Sequence, residues 1–387
     1  MQDIKAVFIP CLNSGVTYWR MYAPVLAGIR TRTIDGCLLW WQKGLNENHP
    51  WQNDITSNAF RARILGEMEA AVRKADVTVM GMVHTNAGLT TMCGIRECYG
   101  KPVVVEADDN VLSCPTYNPA SKFYNPDSPL RKIAVAQLRE ADAVVVSTPY
   151  LKEIYKEFNE HIYVIPNSID FELWGRTQRN HKKGKIVIGW VGGATHNDDL
   201  LIIRPAIDIL TRKYPQVEFV FGHGMHPDFQ GLKGVTWKRE FARIDKYPKF
   251  VAKMGIDIGI APLVDNSFNR AKSNLRWLEY SALGIPCVAS NVGHFAETVK
   301  DGEDCLLCDN TDDFIRNLEL LINDKARRKE LAKAAYERVF ADFNIDKTAA
   351  YYGEVLKEIS ARGQIKRSVP VWKESNHKAT AAVEVIS

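Results

Sequence analysis

The sequence predicts an α/β protein with two similar halves, each a parallel sheet covered by helices on both faces. Short apolar runs such as PVVVE (102–106) alternate with helical patterns, and strands that are apolar on both faces are typical of buried parallel sheets. A polar stretch with Pro and Gly but no period, 166–184, separates two such series. Each series opens with a strand and a glycine-bearing loop, at Gly15 and at Gly192–Gly193.

Length and composition suit this organisation. A chain of 387 residues with 46% hydrophobic and 25% charged residues is typical of a globular protein of two or three domains. No apolar run approaches the ~18 residues that span a bilayer, and the N-terminus lacks the pattern of a signal peptide. We therefore expect a cytoplasmic protein, or one bound peripherally at a membrane surface.

Cysteines and charges exclude several classes of site. The eight cysteines are scattered, and CLLC (305–308) is a lone motif, so reduced core thiols are expected rather than a metal site. The net charge of +4 is lower than a dedicated nucleic-acid domain would carry. Three basic clusters, 181–185, 325–329 and 362–367, are interpreted as solvated helix faces or linkers.

Polar residues follow the predicted strands of the first half. The strands are 5–9, 76–82, 102–106, 143–147 and 162–165, and the helices are 16–30, 56–75, 86–99, 129–140 and 149–158. Ligands of such sheets bind beyond the carboxyl ends of the strands, which selects Gly15, His84 and the Asp108/Asp109 pair. Adjacent carboxylates repel each other unless they have work or partners. The alternative is that Asp109 or Asn110 caps the next turn. A capping role is also open for His84.

The second half repeats the plan. Its strands are 186–191, 217–221, 235–237, 256–262, 287–289 and 305–307, and its helices are a long one ending at 213, then 243–254, 311–323 and 325–341. Lys272 and Ser273 are expected to open a helix over the stretch 269–290, where a helix N-terminus and a lysine suit a phosphate. Glu279, seven residues on, would share that helix face and bond sugar hydroxyls. The alternative is a surface lysine and a solvated glutamate.

Three segments together resemble the family-4 retaining glycosyltransferases of the GT-B fold. VIPNSIDFELW (164–174) resembles the interdomain signature of that family, and IGWVGGATHNDDL (188–200) its second Gly loop. The segment 256–307, with KSNLRWLEYSALGIPCVAS at its centre, is similar to the donor-binding core. The resemblance covers about 1–360. It implies two facing Rossmann-like domains, with the C-terminal helix 345–360 crossing back to the first.

This resemblance implies domain limits and an activity. Residues 1–168 would form the acceptor domain, completed by helix 345–360, and 185–343 the donor domain, with a flexible tail over 363–387. The implied reaction moves a sugar from a UDP- or GDP-type nucleotide sugar to an acceptor hydroxyl, with retention of configuration. Glu279 matches the second glutamate of the E-x7-E motif. Ala271 stands where the first would be, which marks a divergent branch.

The resemblance also implies roles for particular residues. Catalytic candidates are Asp108, Asp109, His84 and Lys272; donor-binding candidates are Gly15, Gly192, Gly193, His196, Arg270, Lys272, Ser273, Asn274 and Glu279. Cations and main-chain N–H groups would neutralise the leaving diphosphate, so no cofactor and no metal are expected. The Asp pair would orient or deprotonate the acceptor.

Other functions remain open from the sequence. A nucleotide-sugar epimerase of the same architecture would turn over donor without acceptor, and a protein that has lost the chemistry would bind donor without turnover. For the acceptor, a carbohydrate is expected first. The basic clusters and Trp40, Trp41 and Trp51 would also suit a nucleic acid or a lipid-linked acceptor.

Overall fold

The computed structural model of the protein describes residues 3–10, 15–38, 58–82, 85–175, 177–196, 198–240 and 246–366, with side chains left out for 58–65 and 194. The chain divides into two compact units. The first unit comprises 1–112, 123–166 and 348–387, and the second comprises 113–122 and 167–347. The tail predicted for 363–387 lies outside the described residues from 367 onward.

The first unit contains a six-stranded parallel sheet in the order β2-β1-β3-β4-β5-β6. Its strands are β1 (Ile4–Ile9), β2 (Ile34–Leu38), β3 (Val77–Gly81), β4 (Val103–Ala107), β5 (Ala143–Val146) and β6 (Ile162–Val164). Its helices are α1 (Gly15–Thr17), a π-helical turn (Tyr18–Tyr22), α2 (Ala23–Thr31), α3 (Asn58–Lys74), α4 (Asn86–Tyr99), α5 (Pro129–Glu140) and α6 (Pro149–Tyr155). All residues of β3, β4 and β5 are buried, because helices cover both faces of the central strands.

A helix from the end of the described chain completes this unit. In α15 (Ile345–Arg362), Tyr352, Val355, Leu356 and Ile359 are at most 3% exposed. They belong to one hydrophobic cluster with residues of β1, β3 and β5. The predicted return of the C-terminal helix to the first sheet is therefore confirmed.

The second unit has the matching order β12-β11-β10-β7-β8-β9, again all parallel. Its strands are β7 (Ile186–Gly192), β8 (Val217–His223), β9 (Val235–Lys238), β10 (Ile258–Ala261), β11 (Cys287–Ser290) and β12 (Leu306–Cys308). Its helices are α7 (Phe171–Trp174), α8 (Arg204–Lys213), α9 (Tyr247–Lys253), α10 (Ser267–Arg270), α11 (Leu275–Ala282), α12 (His294–Thr298), α13 (Thr311–Asn323) and α14 (Lys325–Asp342).

The stretch 166–184, expected to be an irregular linker, is partly ordered. Ile169 is fully buried and its N–H donates to the Phe343 carbonyl at 2.8 Å. Trp174, at the end of α7, is 1% exposed. Two large apolar side chains thus bury part of this segment in the core. The sequence shows no periodic signal for it, because the residues around them are polar.

The expected helix start at Lys272 is wrong. The Asn266 side chain caps the short α10 by accepting the Asn269 N–H at 2.9 Å, and α11 begins only at Leu275, with Asn274 as its N-cap. Lys272 therefore lies in the turn between two helices, and the helical spacing that placed Glu279 on its face does not apply. The long helix expected up to Lys213 is also shorter, because 3-10 turns occupy 194–196 and 198–203.

Cysteines and helix hydropathy complete the description. Cys37, Cys98, Cys287, Cys305 and Cys308 are free thiols, and the last three are buried. Among the same residues, no helix combines the length and the hydropathy needed to cross a bilayer.

Candidate functional site

A glycine at the carboxyl end of β7 lets two large side chains pack against the backbone. A Cβ atom on Gly192 would stand 2.4 Å from the Trp190 ring and 3.1 Å from Nη2 of Arg276. Any other residue would push the indole or the guanidinium away. The next residue, Gly193, is exposed, and a Cβ atom there would have Oγ1 of Thr195, at 3.9 Å, as its nearest described neighbour outside the adjacent residues. The loop therefore offers open main chain beside a positive charge.

Arg276 is the central cation of the site. Its guanidinium forms an ion pair with Glu279, donates to the Tyr247 hydroxyl at 3.1 Å, and lies 5.9 Å from the Trp190 ring centroid. Glu279 is 2% exposed, so burial raises its pKa against the lowering effect of Arg276. The sequence motifs did not indicate Arg276. Its place three residues before Glu279 on the same helix face was the available signal.

His196 lies beside this cation. Its Nδ1 is 2.9 Å from Oδ2 of Asp199, and its ring lies 6.1 Å from the ring of Trp190. Burial lowers the pKa of His196, and the charges of Lys272 and Arg276 lower it further, while Asp199 acts in the opposite direction. The imidazole is therefore held neutral near pH 7 among positive charges.

Asp199 joins the loop after β7 to the loop after β10. Its second carboxylate oxygen accepts the Val264 N–H at 2.9 Å and the Asn269 side-chain amide at 2.7 Å. The Asn269 amide also donates to the Tyr117 hydroxyl at 3.2 Å. Asp199 is fully buried, and its two oxygens are satisfied by these donors and by Nδ1 of His196. Neither Asp199 nor Tyr117 was singled out from the sequence.

The turn before α11 carries three of the predicted residues. Nζ of Lys272 lies 4.4 Å from the Phe268 ring centroid, and its positive charge lowers the pKa of His196. Oγ of Ser273 accepts a hydrogen bond from the Asn167 amide at 2.7 Å, which connects the IPNS signature to this turn. The Asn274 side chain is 1% exposed, and its Nδ2 has no hydrogen-bond partner among the described residues.

His223, at the carboxyl end of β8, has a strained backbone. Its φ of 65° is in the left-handed region, which few residues other than glycine adopt, although histidine does so more often than most. Its ring stacks on Phe250 with 4.9 Å between centroids. Burial lowers the pKa of His223, and Arg276 adds to this effect. Strain of this kind clusters at functional sites, and sequence motifs give no signal for it.

Arg270 and Ala271, which directly precede Lys272 in the sequence, lie in different surroundings. The Arg270 side chain is half exposed and forms a two-pronged ion pair with Asp265, at 2.5 and 2.8 Å, that lowers the pKa of Asp265. Ala271 is fully buried, so a carboxylate there would carry a large desolvation cost.

The first unit holds the other predicted residues. Gly15 is exposed in the first turn after β1, and a Cβ there would meet nothing within 4 Å. Asp108 and Asp109 follow β4 and are half-buried, and the Asp109 carbonyl accepts the Tyr155 hydroxyl at 2.6 Å. As the alternative for this turn predicted, Asn110 accepts the Leu112 N–H at 3.2 Å. His84, Trp40, Trp41 and Trp51 lie outside the described residues.

A buried ion pair that the sequence did not suggest lies directly before the Asp pair. Arg20 and Glu106 are 2% and 3% exposed, and Nε of Arg20 is 2.5 Å from Oε1 of Glu106. Nη1 of Arg20 also donates to the Ile165 carbonyl at 2.7 Å. Arg20 therefore connects the π-helical turn to β4 through Glu106, and to the end of β6 through the Ile165 carbonyl. In the ranges that the structure describes, no three His, Cys, Asp or Glu side chains gather as metal ligands do.

Comparison with solved structures decides the fold. Anabaena Alr3699/HepE, solved with UDP and glucose, matches with a TM-score of 0.64 and 14% identity over 92% of this chain and all of that one. The sucrose-phosphate synthase of Thermosynechococcus elongatus matches with a TM-score of 0.66 and 15% identity over 93% of this chain and all of its own. The protein has the GT-B fold. The predicted fold class is confirmed.

Sequence comparison points the same way. Residues 209–353 match a family model described as glycosyl transferase-like. TuaH of Bacillus subtilis, named as a teichuronic acid biosynthesis glycosyltransferase, is 26% identical over 172 residues, which is 40% of this chain. Glycogen synthase of Mycobacterium tuberculosis is 24% identical over 230 residues, or 56% of this chain. The chain spans only 42% and 54% of the lengths of these two relatives. The resemblance to glycosyltransferases is thus confirmed, whereas family 4 and retention stay predictions.

Proposed function

We propose that the GT-B protein is a glycosyltransferase that takes its sugar from a nucleotide diphosphate donor. The observation that carries this proposal is the cluster of Arg276, Lys272 and His196 beside the open Gly193 main chain. The cluster lies at the carboxyl ends of parallel strands, where α/β sheets bind nucleotides. Its charges are close enough to lower the pKa of His196, so a bound diphosphate would relieve their mutual repulsion.

Each part of the site has a role in this proposal. Lys272 and Arg276 would bind the diphosphate together with the N–H groups of Ser273 and Asn274 at the start of α11. The unpartnered amide of Asn274 supports this assignment, because a buried donor without an acceptor costs about 1–3 kcal/mol that a ligand oxygen would recover. Glu279 would accept a hydrogen bond from the ribose while it remains paired with Arg276.

The same cations would stabilise the leaving group. Negative charge builds on the departing diphosphate as the glycosidic bond to the donor breaks, and fixed positive charges in a dry site lower the energy of that state. We therefore propose transfer without a bound metal. Asp108 and Asp109, with His84, stay the predicted residues for orienting or deprotonating the acceptor hydroxyl. Retention of configuration and a carbohydrate acceptor are proposed from the family-4 resemblance.

Donor identity is the first test. The full-length protein is screened by thermal shift against UDP-glucose, GDP-mannose and ADP-glucose at matched concentrations. We expect UDP-glucose to stabilise most, because the structure of HepE was solved with that donor. Free ligand at a hundred times its Kd would add about 2.7 kcal/mol. Absence of stabilisation by any of the nucleotide sugars would overturn the proposal.

Activity separates the proposal from its alternatives. Transfer is measured with and without EDTA, and the anomeric configuration of the product is read by NMR. Lys272→Ala and Glu279→Ala should each reduce transfer at least about tenfold, the equivalent of one charged hydrogen bond, whereas Arg270→Ala should change it little. Turnover of donor without any acceptor would indicate an epimerase, and donor binding without turnover over a broad acceptor panel would indicate a non-catalytic protein.

A further inference from the structure

A cavity lies at the end of the second unit's sheet that is opposite to the candidate donor site. Its volume is about 710 Å³. It is lined by Ile186, Asp257 and Pro286, which stand at or directly before the amino ends of β7, β10 and β11. The candidate donor site lies at the carboxyl ends of the same strands. The cavity is therefore separate from the residues proposed to bind the donor.

The lining of this cavity is strongly basic. Seven lysine and arginine side chains line it, against the single carboxylate of Asp257. They come from the segment 179–185 and from α14, which are far apart in the sequence. Two of the three basic clusters that the sequence suggested were solvated faces or linkers are thus brought together by folding. Positive charges so arranged repel one another unless an anion joins them.

Two of these cations are fixed in place by main-chain carbonyls, which carry no formal charge. Nη1 of Arg179 donates to the Ile256 carbonyl at 2.9 Å, and Nη1 of Arg328 donates to the Ile322 carbonyl at 3.1 Å. Lys182 and Lys185 share one carboxylate, that of Glu218, at 2.7 and 3.3 Å. The cavity therefore has more preorganised positive charge than its neighbouring carboxylates neutralise.

The lysines of α14 supply further positive charge to the cavity. Lys325, Lys329 and Lys333 follow one another at intervals of four residues, so they lie along one face of the helix. Within the described residues, Lys325 and Lys329 have no ion pair or hydrogen bond. Lys333 has a single long ion pair, with 3.7 Å between its Nζ and Oε1 of Glu337. Flexible ammonium groups of this kind can close around an anion.

We propose that this cavity binds a phosphate-bearing anion. Its volume is in the range of small-molecule sites, and its concave shape suits a compact ligand rather than the extended backbone of a nucleic acid. The same phosphate chemistry is available from a soluble polyphosphate or from the headgroup of an anionic phospholipid. Tyr336 lines the cavity and stacks on the exposed Phe340, so an apolar contact for a lipid lies beside the charges.

The test uses the full chain and two probes. Binding of sodium tripolyphosphate is measured by calorimetry, and binding of vesicles is measured by sedimentation, with phosphatidylcholine alone or mixed with phosphatidylglycerol. We expect the double variant Lys325→Glu, Lys329→Glu to lose at least tenfold in affinity for whichever probe binds. Lys233→Glu, an exposed lysine away from the cavity, is the control for loss of charge. UDP-glucose at saturation should leave the affinity unchanged.

The outcomes separate the two sources of phosphate. Tripolyphosphate binding that is weakened by the double variant assigns a soluble ligand. Binding only to vesicles with phosphatidylglycerol, reduced further by Phe340→Ser, assigns a lipid headgroup. The proposal is overturned if neither probe binds, or if Lys233→Glu weakens binding as much as the double variant does. Displacement of tripolyphosphate by UDP-glucose would place the anion in the donor site instead, and would also contradict it.

Discussion

At the residue scale, Arg276 links Glu279, Tyr247 and the Trp190 ring through contacts of one side chain. Its guanidinium also lies against Gly192, so the glycine of the loop and the cation of α11 depend on each other. The contrast with Arg270 is instructive. That residue was selected from the sequence, but its charge is already matched by Asp265 at the surface.

Replacement of Arg276 should therefore weaken donor binding. We expect Arg276→Ala to raise the Kd for UDP-glucose at least tenfold, which corresponds to about 1.4 kcal/mol. The variant should also lose about 3 kcal/mol of stability, because it leaves the buried Glu279 carboxylate without its cation. Calorimetry and urea unfolding measure the two effects. Arg270→Ala is the matched control, and equal losses in both variants would contradict the assignment.

The lowered pKa of His196 predicts a pH dependence of donor binding. The free imidazole is neutral near pH 7, because burial and Lys272 lower its pKa below the ordinary value. A bound diphosphate would favour the protonated form, so binding takes up a proton and affinity should rise as the pH falls from about 8 to about 6. Calorimetry with UDP-glucose measures this slope. His196→Gln should flatten it, and an unchanged slope in that variant would exclude His196 as the cause.

At the element scale, the site depends on how two loops are joined. Asp199, in the turn after β7, accepts hydrogen bonds from Val264 and Asn269 in the segment that follows β10. These bonds place the turn with Lys272 next to His196. The start of the expected long helix is replaced by 3-10 turns. Asp199 lies in the second of these turns, which ends where α8 begins at Arg204.

Loss of this connection should be costly. Asp199→Ala would leave the partly buried Val264 N–H without this acceptor and would remove one hydrogen bond of the Asn269 amide, which keeps the Tyr117 hydroxyl, so we expect a loss of about 1–3 kcal/mol. Asp198→Ala is the neighbouring control, and it should stay within about 0.5 kcal/mol of the native protein. The midpoint of urea unfolding gives the comparison. Two variants of equal stability would show that Asp199 does not hold the loops together.

At the scale of the whole molecule, the last described helix stabilises the first unit rather than the second, which precedes it in the chain. Leu356 is fully buried among residues of β1, β3 and β5, while Tyr351 on the same helix is 46% exposed. The first unit is thus built from chain segments on either side of the second. Mutations near residue 356 should act on the sheet that begins at Ile4.

Hydrogen exchange can test this dependence. Leu356→Ala should cost about 2–5 kcal/mol by loss of buried side-chain volume. The amides of β1 and β3 should lose protection, and those of β7 and β8 should not. Tyr351→Ala should leave all four strands protected. Loss of protection in β7 but not in β1 would contradict the assignment of α15 to the first unit.

Local signals account for the elements that were predicted well. The helices at 86–99, 129–140 and 311–323 have the predicted bounds because Thr85, Ser128 and Asn310 accept main-chain N–H bonds at their starts. The edge strand β2 was not predicted, since IDGCL lacks a strong apolar pattern and its pairing with β1 supplies the missing stabilisation.

The sequence by itself determined the α/β class, the GT-B resemblance and the glycine and lysine motifs of the candidate donor site, because periodicity and short motifs are local properties. Only the tertiary structure decided which charges meet. Distant segments meet where Arg276 contacts Trp190, where Tyr117 contacts Asn269, and where the two basic clusters line the cavity. Such contacts depend on strand order and loop geometry, which no local pattern contains.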